Sequence, residues 1–180
     1  MRWFAWSPTP RRQFLVFTAL GAAGLLTGAD RRKAPPVLGP QEALTEAERA
    51  VLEAATGRLL PSEDGPGARE ANVTGFIVQQ LATPALAPLG PVFKGIVQLL
   101  DQAAIKEIGV PFAAAAPQRQ DAILLAFSKG TLTTRFPQRE AFQLLHTFTL
   151  EGFLSDPIHG GNANRAGWKA IGFRGPEHSH

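Results

Sequence analysis

The sequence predicts an all-α protein: a four- to five-helix bundle with an extended, irregular C-terminal segment and an N-terminal signal segment. Three observations carry this. Apolar residues recur at three- and four-residue spacing through the body of the chain. Prolines and glycines punctuate the intervals between those stripes. No segment alternates convincingly with period two, and residues 131–136, the one stretch that suggests a strand, read as a connector.

Residues 1–29 hold Arg2, Arg11 and Arg12 and no acid. After the arginine pair the chain stays apolar or small from Phe14 to Leu26, too short for the ~20 residues of a membrane-spanning helix. A charged start, a short apolar centre and small residues before a polar stretch describe an export signal. Arg11, Arg12, Phe14 and Leu15 form an Arg-Arg-x-Phe-Leu pattern that resembles the twin-arginine signal of bacteria. Thr27 and Ala29 suit a small-x-small cleavage site before Asp30. An uncleaved signal anchor and a basic amphipathic tail are the alternatives.

Residues 30–43 are rich in proline and basic residues and read as a linker. The helical domain spans residues 44–155. Thr45 and Glu48 have the spacing of a capping box, in which each side chain satisfies an early amide group. Ala47, Val51, Leu52, Ala55 and Leu59 then form one stripe, stopped by Pro61. A second helix presents Val73, Phe76, Ile77 and Leu81. The third carries Phe93, Ile96, Val97, Leu100, Ala104 and Ile108 and ends at Gly109 and Pro111. A fourth starts at Pro117, where a missing amide costs nothing, carries Ile123, Leu124 and Phe127, and ends by Gly130. The fifth runs from about Pro137 to Leu154 with Phe142, Leu145, Phe148, Thr149 and Phe153 inward.

Residues 156–180 do not read as helix. Pro157 and the glycines between 160 and 172 oppose it, whereas Ile158, Trp168, Ile171 and Phe173 oppose simple disorder. Such a length of irregular chain is functional more often than incidental. Trp168, a large amphipathic ring with one donor, is of the type enriched in interface hot spots. One reading is an extended segment docking on a partner; the other is a tail packed on its own bundle.

Composition narrows the chemistry. With no cysteine among 180 residues, disulfides, zinc–cysteine sites, iron–sulfur ligation and cysteine nucleophiles are excluded. Without the three leading arginines, the remaining basic residues equal the 15 acidic ones, so the clustered basic face that nucleic acid requires is not expected. There is no Gly-x-Gly-x-x-Gly, no Walker loop and no pair of histidines on a helix. The twin-arginine route moves folded, often cofactor-loaded cargo. A chain with no cofactor motif of its own is therefore expected to escort a partner that has one.

Two segments add a family resemblance. Residues 58–71, with Arg58, Pro61, Asp64, Pro66, Gly67 and Glu70, resemble the helix-turn-helix signature of the gluconate 2-dehydrogenase subunit 3 family. Residues 152–173, with Asp156, Pro157, His159, Gly160, Gly161, Asn162, Gly167, Trp168 and Phe173, are similar to that family's closing motif. His159 and Arg174 stand where Tyr and Pro are frequent. The resemblance covers residues 45–176. It implies a small, non-catalytic subunit of a periplasmic, membrane-associated dehydrogenase. FAD would reside in a large subunit resembling glucose-methanol-choline oxidoreductases, and haem c in a multi-haem cytochrome that commonly accompanies it. The small subunit would supply the export signal to the twin-arginine translocase and support maturation of the flavoprotein, the partner on which residues 156–180, read above as a docking segment, would then sit.

Other candidates carry less. Glu63 and Asp64 are adjacent carboxylates in a turn, a setting in which solvation or helix capping is commoner than acid–base chemistry. Asp156 and His159 supply two ligands where a metal site needs more. His146 reads as a half-buried helical histidine, and no serine sits in a nucleophile elbow. The chain is thus expected to contain no catalytic residue, metal site or cofactor site. A stand-alone periplasmic helical binding protein is the alternative to the accessory subunit, and an enzyme in its own right comes third.

Overall fold

A computed structural model describes residues 44–63 and 65–175. The export-signal residues Arg11, Arg12, Phe14 and Leu15, the linker and Asp64 lie outside the described residues. Within them are six α-helices and no strand: α1 Glu46–Leu59, α2 Val73–Leu81, α3 Gly90–Ile108, α4 Pro117–Lys129, α5 Gln138–Leu154 and α6 Ala166–Ala170. Single helical turns at Ala87–Leu89, Phe112–Ala114, Pro157–His159 and Ala163–Arg165 fill much of the connections.

Local signals set most of the helix ends. The Thr45 hydroxyl accepts from the Glu48 amide at 3.3 Å, and the Glu48 carboxylate accepts from the Thr45 amide at 2.9 Å, completing the capping box. Pro117 opens α4, while Gly109 and Gly130, both left-handed, close α3 and α4. The connector between α4 and α5 is held by a side chain imitating a backbone. The Gln138 amide accepts from the Leu132 N–H at 3.0 Å and donates to the Leu132 carbonyl at 2.8 Å.

Helix α5 is the hub, packing against each of the other five helices. Phe148 of α5 meets Phe93 of α3 edge-on at 5.2 Å, and Phe142 meets Phe127 of α4 at 5.8 Å. The α3 stripe from Phe93 to Ala104 is buried as expected, each fully enclosed Leu or Phe contributing about 2 kcal/mol, whereas Ile108 is only partly covered.

Four expectations are corrected. The bundle has six helices, because the closing segment contains a short one. That segment is not extended: it folds into helical turns against the end of α5. Ala47 is exposed in the first turn of α1, and Thr56 takes a core position instead, its hydroxyl donating to the Glu53 carbonyl at 3.2 Å. A threonine that satisfies itself this way is invisible to a hydrophobic pattern. His146 is exposed rather than half-buried, its ring stacked beside Phe142.

Candidate functional site

The closing motif starts where α5 crosses α2. Gly152 lies against Phe76 and Val73, and a Cβ there would come within 2.9 Å of the Phe76 ring. After α5 ends, the Asp156 carboxylate accepts from the Ile158 amide at 3.1 Å, capping the turn Pro157–His159. Gly160 then reverses the chain at φ 87°, and its carbonyl accepts from the Asn72 side chain at 2.9 Å. The backbone of Gly161 touches the Gly152 carbonyl, and that of Gly167 touches the Phe153 carbonyl. Neither approach leaves room for a side chain.

Asn162 holds these pieces together. Fully buried, it donates its backbone N–H to the Gly152 carbonyl at 2.7 Å and its side-chain N–H to the Ser155 carbonyl at 2.9 Å. Its side-chain oxygen accepts from the amides of Gly167 at 2.8 Å and Trp168 at 3.4 Å, the first turn of α6. One residue thus satisfies carbonyls at the end of one helix and amides at the start of another. Asn162, Asn164 and Arg165 are all left-handed, which turns α6 back toward α5. Asparagine tolerates that geometry; for Arg165 it costs about 1 kcal/mol.

Trp168 is 7% exposed, donates its indole N–H to the Leu154 carbonyl at 2.8 Å and receives the edge of Phe173 at 5.2 Å. Of the residues expected to dock, Gly161, Asn162, Gly167 and Trp168 therefore lie inside the fold, Asp156, Pro157 and Gly160 are partly exposed, and His159 and Phe173 face solvent. Beside the last two the structure exposes Ile158 (79%) and Ile171 (61%), as well as Arg165 and Lys169. The motif glycines, Asn162 and Trp168 build the shelf; the residues between them form its outer surface.

The earlier motif is sealed differently. Arg58 donates two hydrogen bonds to Asp121 of α4, at 2.7 and 2.8 Å. Glu70 accepts from the Ser62 hydroxyl at 2.6 Å and the Gly67 amide at 2.8 Å, and these bonds, Ser62 first, hold its carboxyl below the usual range. Gly67 passes so close to the Leu60 carbonyl that a Cβ would sit 2.5 Å from it. Pro61 and Glu63 are exposed, and Pro66 is partly covered.

Beside the start of the closing segment, α2 and the end of α5 line an open surface cleft of about 410 Å³, formed by Phe76, Gln80, Glu151, Leu154, Ser155 and His159. Glu151 makes no ion pair among the described residues, and desolvation raises its carboxyl above the usual range. The Ser155 hydroxyl is buried without a hydrogen-bond partner. Neither residue stood out in the sequence, although one signal was there: Glu151 is an acid in the last turn of a helix, where exposed carbonyls disfavour negative charge. Among the described residues no three His, Asp or Glu side chains are grouped to hold a metal, and no helix is long and apolar enough to cross a membrane.

A family model described as gluconate 2-dehydrogenase subunit 3 matches residues 46–175. No curated protein and no solved structure matches the chain.

Proposed function

This chain belongs to the gluconate 2-dehydrogenase subunit 3 family, a family of subunits of a dehydrogenase complex, and on that premise we propose that it is the complex's non-catalytic export and maturation subunit. In this reading it acts in the periplasm at the inner membrane, joined to a large FAD-bearing subunit resembling glucose-methanol-choline oxidoreductases. A multi-haem cytochrome c takes the electrons onward. Arg11, Arg12, Phe14 and Leu15 direct the assembled pair to the twin-arginine translocase.

The observation that carries this reading is the family match across residues 46–175, on a chain whose leader has the form of a folded-export signal and whose sequence lacks a cofactor motif. The exposed Ile158, Ile171 and Phe173 support docking through the closing segment, since several large apolar side chains left in water on one segment favour a covered state. Co-producing the chain with the large flavoprotein and replacing Arg11 and Arg12 by Lys tests it. The expected result is that both proteins stay in the cytoplasm, with flavin-linked dehydrogenase activity lost from the periplasmic fraction. A flavoprotein that reaches the periplasm unaided would overturn the proposal. A chain that is monomeric and never associates with a flavoprotein would point to the stand-alone binding protein.

A further inference from the structure

Arg165 occupies the one position among the described residues where a side chain other than asparagine or glycine is held left-handed, at φ 57° and ψ 35°. The turn into α6 requires that backbone, and asparagine serves it at 162 and 164. Asparagine or glycine at 165 would meet the same requirement with less steric conflict. The arginine side chain gives nothing back to the fold. It is exposed and makes neither an ion pair nor a hydrogen bond among the described residues. A strained backbone beneath a side chain with no internal use marks a position shaped by something outside the chain.

The surroundings of Arg165 give the chemistry of that contact. Lys169, also exposed and unpaired among the described residues, lies about one helical turn further along α6. The Phe173 amide donates to the Trp168 carbonyl at 2.8 Å and the two rings meet edge-on, which keeps the exposed Ile171 and Phe173 close to α6. Residues 156–175 hold Arg165, Lys169 and Arg174 against a single acid, Asp156, whose carboxylate already caps the turn Pro157–His159. Over residues 44–155 acids outnumber bases, so the positive charge of the described chain is concentrated on the closing segment.

We propose that Arg165, with Lys169 beside it, docks on an acidic patch of the large dehydrogenase subunit, where carboxylates flank an apolar hollow that receives Ile171 and Phe173. The inference rests on the reading of this chain as an accessory subunit and deepens it by giving the charge of the contact and the residue that makes it. The Arg165 amide donates to the Asn162 carbonyl at 2.8 Å, so the buried clasp fixes the backbone that carries the guanidinium before a partner arrives. The planar fork of an arginine suits a carboxylate through two parallel hydrogen bonds.

The test is the complex of the full chain with its co-produced flavoprotein, its dissociation constant measured across salt concentrations, alongside the unfolding midpoint of each isolated variant. Arg165→Asn keeps the left-handed turn and removes the cation. It is expected to weaken the complex about tenfold and to flatten its salt dependence, with a midpoint equal to or above wild type. Arg165→Glu should cost far more through repulsion, whereas Arg165→Lys and Lys169→Gln should each cost only a few-fold. Unchanged affinity in both Arg165→Asn and Arg165→Glu overturns the docking role and leaves the subunit reading intact. A weaker Arg165→Asn complex with a lowered midpoint also overturns it, since the turn itself then explains the loss. Vesicles of phosphatidylglycerol test the other anionic surface. Binding to them that Arg165→Asn abolishes, while the complex keeps its affinity, overturns the protein partner in favour of lipid. If the wild-type chain forms no complex, both readings fall.

Discussion

Residues 58–71 and 151–173 are both irregular, glycine-bearing segments organised near one glutamate, and they treat that glutamate in opposite ways. Glu70 receives a hydroxyl and an amide, and its negative charge is welcome. Glu151 is exposed, makes no ion pair among the described residues, and has its carboxyl raised by desolvation from its neighbours. In the first segment Arg58 has Asp121, Arg69 has Glu53, and Glu70 has Ser62 and Gly67. In the second, backbone groups are satisfied with care, while the Ser155 hydroxyl is buried without a partner and Glu151, Ile158, Ile171 and Phe173 are exposed. Two glycine-bearing segments thus differ in what they leave over.

The sharpest way to break this comparison is through Asn162. Asn162→Ala strips partners from the Ser155 carbonyl and the Gly167 amide and is expected to destabilise the protein by about 3 kcal/mol, read from urea unfolding. With Trp3 and Trp6 replaced by Phe, Trp168 emission reports the closing segment alone and should shift to longer wavelength. Gly167→Ala, forced against the Phe153 carbonyl, is expected to cost about 2 kcal/mol by the same assay. Arg58→Ala removes a bidentate but half-open ion pair and should cost about 1 kcal/mol, the cost falling as salt is added. A loss at Arg58 as large as that at Asn162 would erase the contrast between surface seal and buried clasp.

The smallest effect is the most specific. Glu70 has a lowered pKa, so its contribution is present above the unfolded-state value and is lost as pH falls through the folded one. Glu151 has a raised pKa, so its effect runs the other way. The neutral form favours folding, and that benefit, full below the unfolded-state value, disappears as pH rises through the folded one. Thermal unfolding of Glu70→Gln and Glu151→Gln against pH should therefore show opposite trends. Relative to wild type, Glu70→Gln is the weaker protein near neutrality and Glu151→Gln the stronger; the Glu151 gap closes as pH falls below the unfolded-state value, the Glu70 gap only further down, through its lowered folded-state value.

How far the sequence reveals all this depends on the range of the interactions involved. The ends of α1, α3 and α4 are legible because Thr45 acts on Glu48, Pro117 on its own turn, and Gly109 and Gly130 on theirs. The core stripes are legible because burial follows helical spacing. The closing segment is not legible, because its shape depends on Asn162 reaching Gly152 and Gly167 together, and on Gly161 and Gly167 fitting two carbonyls of α5. Proline and glycine announce an absence of long helix, yet they do not say which surface the chain will return to. Trp168 shows the same limit: its size suggests a contact residue, whereas its indole N–H is spent on the Leu154 carbonyl.

The Asn162 clasp also imposes an order of events. It joins residues 152–155 to residues 167 and 168, so it cannot close until residue 168 has been made and freed to fold. A chain cut before residue 167 would keep α1 to α5 and most of the core but lack the shelf.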